Sequence, residues 1–302
     1  MKKDEPTVGR RVLLRTAVFL GVAAAGLITT GNGIEGGTPT TPGAPGAGGA
    51  PGPAAGPGPN LAGPGGLPGA LPEKAYRLRP MTADAPARPA AVKPAVRTRP
   101  ILELPADAST DSSMVLTFDD GPDPRYTPAI LDTLGRHGVR AMFFVCGEMA
   151  AENRDLLRRM VAEGHVIGNH TWTHPLIPKL SRPALAAEIG RTSEVVERAV
   201  GEAPQWFRAP YGAWNRAAFE IGAELGMEPL AWTVDSLDWE EPGTTTIVSR
   251  VLRGAGPRAI VLSHDAGGNR TQSVQAIASY LPQLIARGYR MTLPTLSSVA
   301  SS

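Results

Sequence analysis

Short apolar runs alternate with amphipathic stretches over the second part of this 302-residue chain. Seven apolar runs are predicted to be strands, at residues 114–118, 140–145, 165–168, 206–208, 230–234, 259–263 and 289–293. Six stretches between them are predicted to be helices, at residues 128–137, 152–163, 182–200, 215–225, 244–252 and 273–287. Strands and helices that alternate in this way pair in parallel, with the helices outside the sheet. Seven or eight such units favour an α/β fold closed into a distorted (β/α) barrel over an open sheet.

Residues at the ends of these elements support the predicted boundaries. Ser181 can cap the helix that follows it, and Glu188 and Arg191 fall on the polar side of that helix. Four glycines lie between a helix and the next strand, where a left-handed residue is needed: Gly138, Gly164, Gly226 and Gly288. These residue types are the ones expected at the ends of helices.

The N-terminus, residues 1–30, is predicted to be an export signal or a signal anchor. Basic residues precede an apolar stretch of 13 residues at 16–28, which is short for a membrane span but typical of a signal-peptide core. The segment R-R-V-L-L at 10–14 resembles a twin-arginine signal, and the general secretory route is the alternative. No clear A-x-A cleavage site follows, so either cleavage is atypical or the segment remains as a membrane tether. We expect an exported protein, extracellular or associated with the cell wall.

Residues 31–107 are predicted to be a disordered Gly/Pro/Ala-rich linker and tether. Between residues 36 and 70, Gly and Pro supply 22 of 35 residues, so this segment has too little apolar surface to offset its ordering entropy. Residues 101–104 (I-L-E-L) are strand-like and are expected to dock on the domain. The folded domain is therefore expected to cover residues 108–302.

The charge of the chain narrows its possible partners, and its cysteine content decides whether an internal disulfide can form. Residues 110–302 hold 18 Lys and Arg against 21 Asp and Glu, which argues against a nucleic-acid-binding surface. The basic stretch at 74–99 could be attracted to anionic cell-wall polymer or lipid headgroups, or it could be only part of a soluble tether. The lone Cys146 excludes an internal disulfide and is interpreted as a buried small hydrophobe.

Polar side chains follow five of the predicted strands, at the point where each strand ends. They are Asp119 and Asp120, His170, Arg208, Asp235 and Asp238, and His264. The carboxyl ends of barrel strands meet at one mouth, where catalytic groups gather, so we expect these side chains to converge. Asp235 alone is interpreted as a structural acid.

The segment V-L-T-F-D-D-G-P at 115–122 places two carboxylates side by side after an apolar run. Two close anions repel, so the pair costs stability unless a cation or an arginine lies between them. A metal site or a catalytic base is the functional interpretation, and a solvated turn with spare acids is the alternative.

Two histidines supply a possible metal site in the segment N-H-T-W-T-H-P. His170 and His174 stand four residues apart, and Pro175 disfavours a helical conformation at His174, so a bent loop is predicted. With a carboxylate from Asp120, the pair gives three protein ligands and an open coordination position, as in catalytic zinc sites. His264 is either a general acid or a structural histidine at the start of a loop. No chemistry is assigned to His137 or His165.

Together these motifs resemble the polysaccharide deacetylases with a NodB homology domain, carbohydrate esterase family 4. The resemblance covers residues 112–297. It rests on five motifs in order: T-F-D-D-G-P at 117–122, H-T-W-T-H at 170–174, R-A-P-Y-G at 208–212, D-S-L-D-W at 235–239 and L-S-H at 262–264.

The resemblance implies roles for the residues around the two acids. Asp119 matches the general base, and Asp120, His170 and His174 match the metal ligands. Arg208 matches the arginine that tethers the base. The implied cofactor is one divalent ion; Zn²⁺ fits the ligands best, and Co²⁺, Ni²⁺ or Mn²⁺ could occupy the same triad.

The resemblance also implies roles on the opposite side of the mouth. The backbone N–H of Tyr211 would help to hold the oxyanion, and Trp239 and Leu262 would wall the acetyl pocket. Asp238 would orient and tune His264, the general acid. The implied reaction is metal-assisted hydrolysis of an N-acetyl group, which yields acetate and a free amine.

Three hypotheses remain at this point. The first is a monomeric deacetylase that acts on N-acetylglucosamine polymers, either peptidoglycan or chitin-like oligomers. The second is an esterase that removes O-acetyl groups from xylan. The third is a noncatalytic cell-wall glycan-binding module. The long tether favours peptidoglycan as the substrate.

Overall fold

The computed structural model describes residues 93–106, 110–296 and 299. The predicted export signal at 1–30, and the predicted linker as far as residue 92, lie outside the described residues and stay predictions. Within the described part of the chain, no helix has the length and apolar character that a membrane span requires.

The described residues alternate strands and helices, as the sequence predicted. The strands are β1 (Ser113–Asp119), β2 (Met142–Val145), β3 (Val166–Asn169), β4 (Trp206–Phe207), β5 (Glu228–Pro229), β6 (Val234–Asp235), β7 (Ile260–His264) and β8 (Arg290–Met291). The α-helices are α1 (Thr127–Arg136), α2 (Gly147–Glu152), α3 (Arg154–Ala162), α4 (Arg182–Val200), α5 (Arg216–Glu224), α6 (Thr244–Gly254) and α7 (Thr271–Ala286). Single turns of 3₁₀-helix lie at Ile177–Lys179, Pro210–Gly212 and Asp238–Glu240.

All the strands pair in parallel in one sheet. Its order is β5-β4-β3-β2-β1-β7-β6, and β8 adds to the first residues of β1. The sheet curves into a half-barrel with the helices outside it. The predicted α/β class with a barrel-like parallel sheet is therefore confirmed.

The segment at residues 101–104 runs from the edge strand β5 to the residues just before β7. Ile101 N donates to Pro229 O at 2.9 Å beside β5, and Leu104 N donates to Arg258 O at 3.0 Å, two residues before β7. Ile101 and Leu104 are both buried. The predicted docking of this strand-like segment on the domain is confirmed.

One predicted strand, 230–234, is wrong. The structure places β5 before it and β6 at its end, with Leu230 and Ala231 crossing from one sheet edge to the other. The carbonyl oxygens of Leu230 and Ala231 accept hydrogen bonds from the Arg208 side chain, at 3.1 and 2.9 Å. These two backbone oxygens therefore bond to the side chain of Arg208, which lies far away in the sequence.

The predicted helix at 152–163 is shorter than expected and is preceded by a helix that the pattern missed. Asn153 interrupts the backbone at φ −121° and ψ 46°, between α2 and α3. Its side-chain amide donates to Met149 O and Pro122 O, at 2.9 and 3.2 Å. The second bond connects the break to the loop that follows β1.

The predicted cap of α4 is confirmed, since Ser181 Oγ accepts from Ala184 N at 3.4 Å.

β1 is buried along its whole length and has two different faces. Met114, Leu116 and Phe118 pack into the core between the sheet and the outer helices. Val115 packs on the inside of the half-barrel. Because side chains alternate along a strand, Asp119 shares the inner face with Val115. This register places a carboxylate inside the mouth of the half-barrel.

Candidate active site

The structure brings most of the polar residues at the strand ends into one cluster. Asp119 ends β1 and His264 ends β7, and the two are direct neighbours in the sheet register. His170 follows β3, Arg208 follows β4 and Asp238 lies in the turn after β6. Hydrogen bonds and short ion-pair distances connect them in two groups, one around Asp119 and one around His264.

The first group contains three side chains of the types that bind metal ions. The ligand atoms of Asp120, His170 and His174 all lie within 4.8 Å of one another. Asp120 Oδ1 is 3.3 Å from His174 Nε2 and 3.5 Å from His170 Nε2. This oxygen is buried, and none of the described residues donates a hydrogen bond to it. An unsatisfied carboxylate oxygen facing two imidazole nitrogens fits a divalent cation, with a further coordination position left open.

The ring of His170 is fixed by its other nitrogen. Nδ1 lies 2.8 Å from the backbone oxygen of Arg208, so Nδ1 carries the proton and Nε2 presents a lone pair. Burial lowers the pKa of His170 to about 3, which keeps the imidazole neutral at physiological pH. A neutral imidazole with a free Nε2 is the form that binds a metal.

His174 lies in a bent loop, as Pro175 led us to expect. Its φ is 57° and that of Thr171 is 67°, both in the left-handed region. No helix includes residues 170–174, so the four-residue spacing of the histidines acts through this loop. The ring of His174 packs edge-on against Tyr211, with centroids 4.5 Å apart.

Asp119 is held by a buried arginine. Its Oδ1 accepts from Arg208 Nη1 at 2.7 Å, and Nη1 also donates to Thr117 Oγ1 at 2.7 Å. The guanidinium is fully buried, and its other N–H groups bind backbone oxygens on the chain leading to β6. Burial raises the pKa of Asp119 above its ordinary value, and the charge of Arg208 opposes this rise. The repulsion expected between the adjacent acids is thus offset on one side by Arg208.

Replacing Arg208 with Met is expected to lower the free energy of unfolding by about 3–5 kcal/mol, because Asp119 would remain as an uncompensated buried charge. Chemical denaturation followed by circular dichroism measures the loss. The double variant Arg208→Met/Asp119→Leu should recover part of it, since both charges are then gone. A double variant as unstable as the single one would show that packing of the arginine, and not the charge pair, is responsible.

The second group contains a histidine held by a buried carboxylate. His264 Nδ1 lies 2.7 Å from Asp238 Oδ1, and His264 N donates to Asp238 Oδ2 at 2.9 Å. Ser273 Oγ also donates to Oδ2, at 2.6 Å. Burial disfavours the imidazolium, but the hydrogen bond and charge of Asp238 outweigh it and raise the pKa of His264 to about 9. The ring is therefore protonated at neutral pH and can donate a proton.

Comparison with known proteins identifies the family. A family model described as polysaccharide deacetylase matches residues 106–230. A chitooligosaccharide deacetylase of Bradyrhizobium sp. (strain ANU 289) is 40% identical over 203 residues, which are 63% of this chain and 93% of that protein. The chain belongs to the polysaccharide deacetylase family. The family predicted from the five motifs is thereby confirmed.

Other polysaccharide deacetylases agree with this assignment. A peptidoglycan-N-acetylglucosamine deacetylase of Bacillus cereus is 38% identical over 187 residues, 61% of this chain and 68% of that protein. Among solved structures, the family 4 carbohydrate esterase from Streptomyces lividans in complex with acetate superposes with a TM-score of 0.57 at 34% identity. That match covers 61% of this chain and 93% of the esterase.

The remaining residues implied by the resemblance to the deacetylases lie around the same mouth. Tyr211 has φ 59°, and its side chain is largely exposed. Trp239 is 43% exposed in the turn after β6, whereas Leu262 is buried in β7. Asp235 Oδ1 accepts from Leu237 N at 2.8 Å and so closes a turn, in keeping with its interpretation as a structural acid.

A further buried acid, Asp265, was not predicted from the sequence. Its backbone N donates to Asp119 O at 3.1 Å, and its Oδ2 accepts from Thr127 Oγ1. A Cβ added at Gly121 would lie 2.2 Å from Oδ2, so the carboxyl packs directly on the backbone after Asp120. Burial raises the pKa of Asp265 to about 7. The available signal was its position directly after the strand that ends in His264.

Proposed function

We propose that this polysaccharide deacetylase is a metal-dependent hydrolase that removes N-acetyl groups from N-acetylglucosamine-containing polysaccharide. The main support is the pairing of the two groups across adjacent strands. Asp119 with Arg208 stands beside the triad, and His264 with Asp238 occupies the same register on β7. A base and an acid are thus available on two sides of one ligand triad.

Asp120, His170 and His174 would hold the metal. When bound, a divalent ion supplies Lewis acidity, which polarises a carbonyl and lowers the pKa of water. Zn²⁺ suits the two imidazoles and one carboxylate best, and Co²⁺, Ni²⁺ or Mn²⁺ are alternatives. The orphaned Oδ1 of Asp120 and the neutral ring of His170 are the features that support this assignment.

Asp119 is the proposed general base. Arg208 occupies its Oδ1 and leaves Oδ2, 3.6 Å from His170 Nε2, to take a proton from the attacking water. The charge and hydrogen bond of Arg208 favour the carboxylate form of Asp119 and oppose the rise in its pKa that burial causes. The backbone N–H of Tyr211 would donate to the oxyanion that develops on the carbonyl oxygen.

His264 is the proposed general acid. Asp238 engages Nδ1, so the proton available to the leaving amine is the one on Nε2. Cleavage of the C–N bond then gives acetate and the free amine of a glucosamine unit. Trp239 and Leu262 are proposed to wall the space that receives the acetyl methyl group.

The relatives support the class of substrate. Proteins at 38–40% identity are named chitooligosaccharide deacetylase and peptidoglycan-N-acetylglucosamine deacetylase. Both substrates carry N-acetylglucosamine, so this sugar is the proposed target. An exported enzyme at the cell wall that deacetylates peptidoglycan is the form we favour, because of the long predicted tether.

Acetate release from three substrates tests the proposal. The purified chain is incubated with N-acetylated chitooligosaccharide, peptidoglycan and acetylated xylan, each with and without a chelator. We expect acetate from the first two substrates, loss of release after chelation, and recovery when Zn²⁺ is returned. The variant Asp155→Asn, in an acid that is 98% exposed on α3, serves as a control.

The other outcomes identify the competing activities. Acetate from xylan alone would indicate an O-acetyl esterase. Glycan binding without acetate release, unaffected by loss of Asp119 and His264, would indicate a binding module. Full activity in a protein shown by elemental analysis to hold no metal would overturn the metal dependence.

A further inference from the structure

The loop that carries His174 is unfavourable by its own local preferences. Thr171 and His174 both adopt positive φ, and Thr171 is β-branched and fully buried. A β-branched residue in this region is rare, and such a conformation persists only where surrounding contacts impose it. The ligand atom of His174 therefore depends on whatever holds the backbone between these two residues.

A carboxylate from α4 binds two successive N–H groups of that backbone, whose oxygens at Thr171 and Trp172 accept from Gly147 N and Glu148 N. Glu188 Oε2 accepts from both Trp172 N and Thr173 N, each at 2.8 Å. Its Oε1 accepts from Thr173 Oγ1 at 3.0 Å. Two successive backbone N–H groups that point at one anion form a nest, which a carboxylate fills better than a neutral group.

The same face of α4 also contacts the side chain of Trp172 in the loop. Arg191, three residues after Glu188, lies over the ring of Trp172 with its Cζ 4.0 Å from the centroid. That ring is pressed onto the start of α2, where a Cβ added at Gly147 would lie 2.2 Å from it. The loop is thus fixed between α4 and α2.

We propose that Glu188 is a positioning residue for the metal site. Its carboxylate fixes the backbone of Trp172 and Thr173, so that the next residue, His174, keeps Nε2 beside Asp120. Within the described part of the chain, the Glu188 carboxylate bonds to the loop and not to the three ligand side chains, so it acts through the loop. The inference rests on the proposed function, since it assumes that Asp120, His170 and His174 bind a divalent ion.

Metal affinity, measured without substrate, tests the proposal. Zn²⁺ binding to the full chain is determined by competition with a chromogenic chelator for wild type, Glu188→Ala, Glu188→Gln and Glu194→Gln. Glu194 lies on the same helix with an exposed side chain and pairs only with Arg198 among the described residues, at 3.8 Å, so it is the matched control. The visible spectrum of the Co²⁺-loaded protein reports the coordination geometry of each variant.

We expect Glu188→Ala to weaken Zn²⁺ binding by about 10- to 100-fold, the range found when groups that orient metal ligands are removed. Glu188→Gln keeps an acceptor oxygen but loses the charge, so about a three- to tenfold loss is expected. Both variants should change the Co²⁺ spectrum. Glu194→Gln should bind within about twofold of wild type, with the wild-type spectrum.

A Kd within twofold of wild type for both Glu188 variants, with unchanged Co²⁺ spectra, would overturn the positioning role and leave the proposed function intact. A wild-type chain that binds no divalent ion would overturn the metal assignment itself. If Glu188→Ala does not fold, as judged by circular dichroism, Glu188→Gln decides the outcome by the same two readouts.

Discussion

Asp119→Asn is expected to lose about 10²- to 10⁴-fold in kcat/KM for acetate release while retaining its metal. Asparagine has nearly the same shape as aspartate and can still accept the hydrogen bond that Arg208 donates at 2.7 Å. It cannot accept a proton from water. The triad of Asp120, His170 and His174 is unchanged, so the metal content measured by elemental analysis should equal that of wild type.

The loss must be separated from a loss of structure. Arg208 is fully buried, and Asp119→Asn leaves its charge uncompensated, so some destabilisation is expected. Activity is therefore measured below the unfolding transition of the variant, with circular dichroism as the check. Asp155→Asn, on the exposed face of α3, should keep wild-type activity. Wild-type turnover in Asp119→Asn would remove this residue from the role of base.

The sequence predicted the fold well where the signal is local. Apolar runs mark β1, β2, β3 and β7 because these strands are buried on both faces, and that pattern needs no knowledge of their neighbours. It failed at residues 230–234, where the deciding contact comes from Arg208, more than twenty residues earlier in the chain. The residue pattern of a five-residue segment carries no information about a side chain so far away in the sequence.

The site shows the same division between local and distant signals. Asp120, His170 and His174 belong to short motifs, and their ligand atoms indeed lie together. Glu188 was placed on the polar side of α4 because the helix is amphipathic there. The structure directs its carboxylate to the loop, which lies 15 and 16 residues earlier in sequence. Helical periodicity predicts which face of the helix is polar, but not which residues that face contacts.

The strongest effect on the acid side of the site is expected from Asp238→Asn. Asp238 accepts three hydrogen bonds, from the ring and the backbone of His264 and from Ser273. An asparagine side chain has one acceptor oxygen, so its NH₂ group must face one of these donors. If the amide donates to Nδ1, that nitrogen must be unprotonated, so the neutral ring with its proton on Nε2 is favoured over the imidazolium that a general acid needs.

Turnover in Asp238→Asn is expected to fall by about 10²- to 10⁴-fold, because a neutral imidazole is a much weaker acid than the imidazolium and protonates the leaving amine poorly. Ser273→Ala removes only one of the three hydrogen bonds and leaves the carboxylate in place. It should therefore lose much less activity, and it serves as the graded control. Equal losses in the two variants would indicate that packing around Asp238, and not its charge, matters.

The pH dependence supplies the second readout. The pKa of His264 is raised to about 9, so an acid that must carry a proton should stay active until the pH passes through that value. The group is charged in both the folded and the unfolded chain below its ordinary pKa of about 6.5. Its contribution to stability is therefore fully present below pH 6.5 and is lost as the pH rises through about 9.

Asp238→Asn removes the charge that raises the pKa, while burial of the ring remains. The alkaline limb of the kcat profile should then move to lower pH, measured between about pH 6 and 10 on the metal-loaded protein. The decline in unfolding free energy over the same range should also flatten, because the ion pair that titrates there is absent. An alkaline limb that stays in place in Asp238→Asn would mean that another group sets it, and His264 would no longer be the acid whose proton the amine receives.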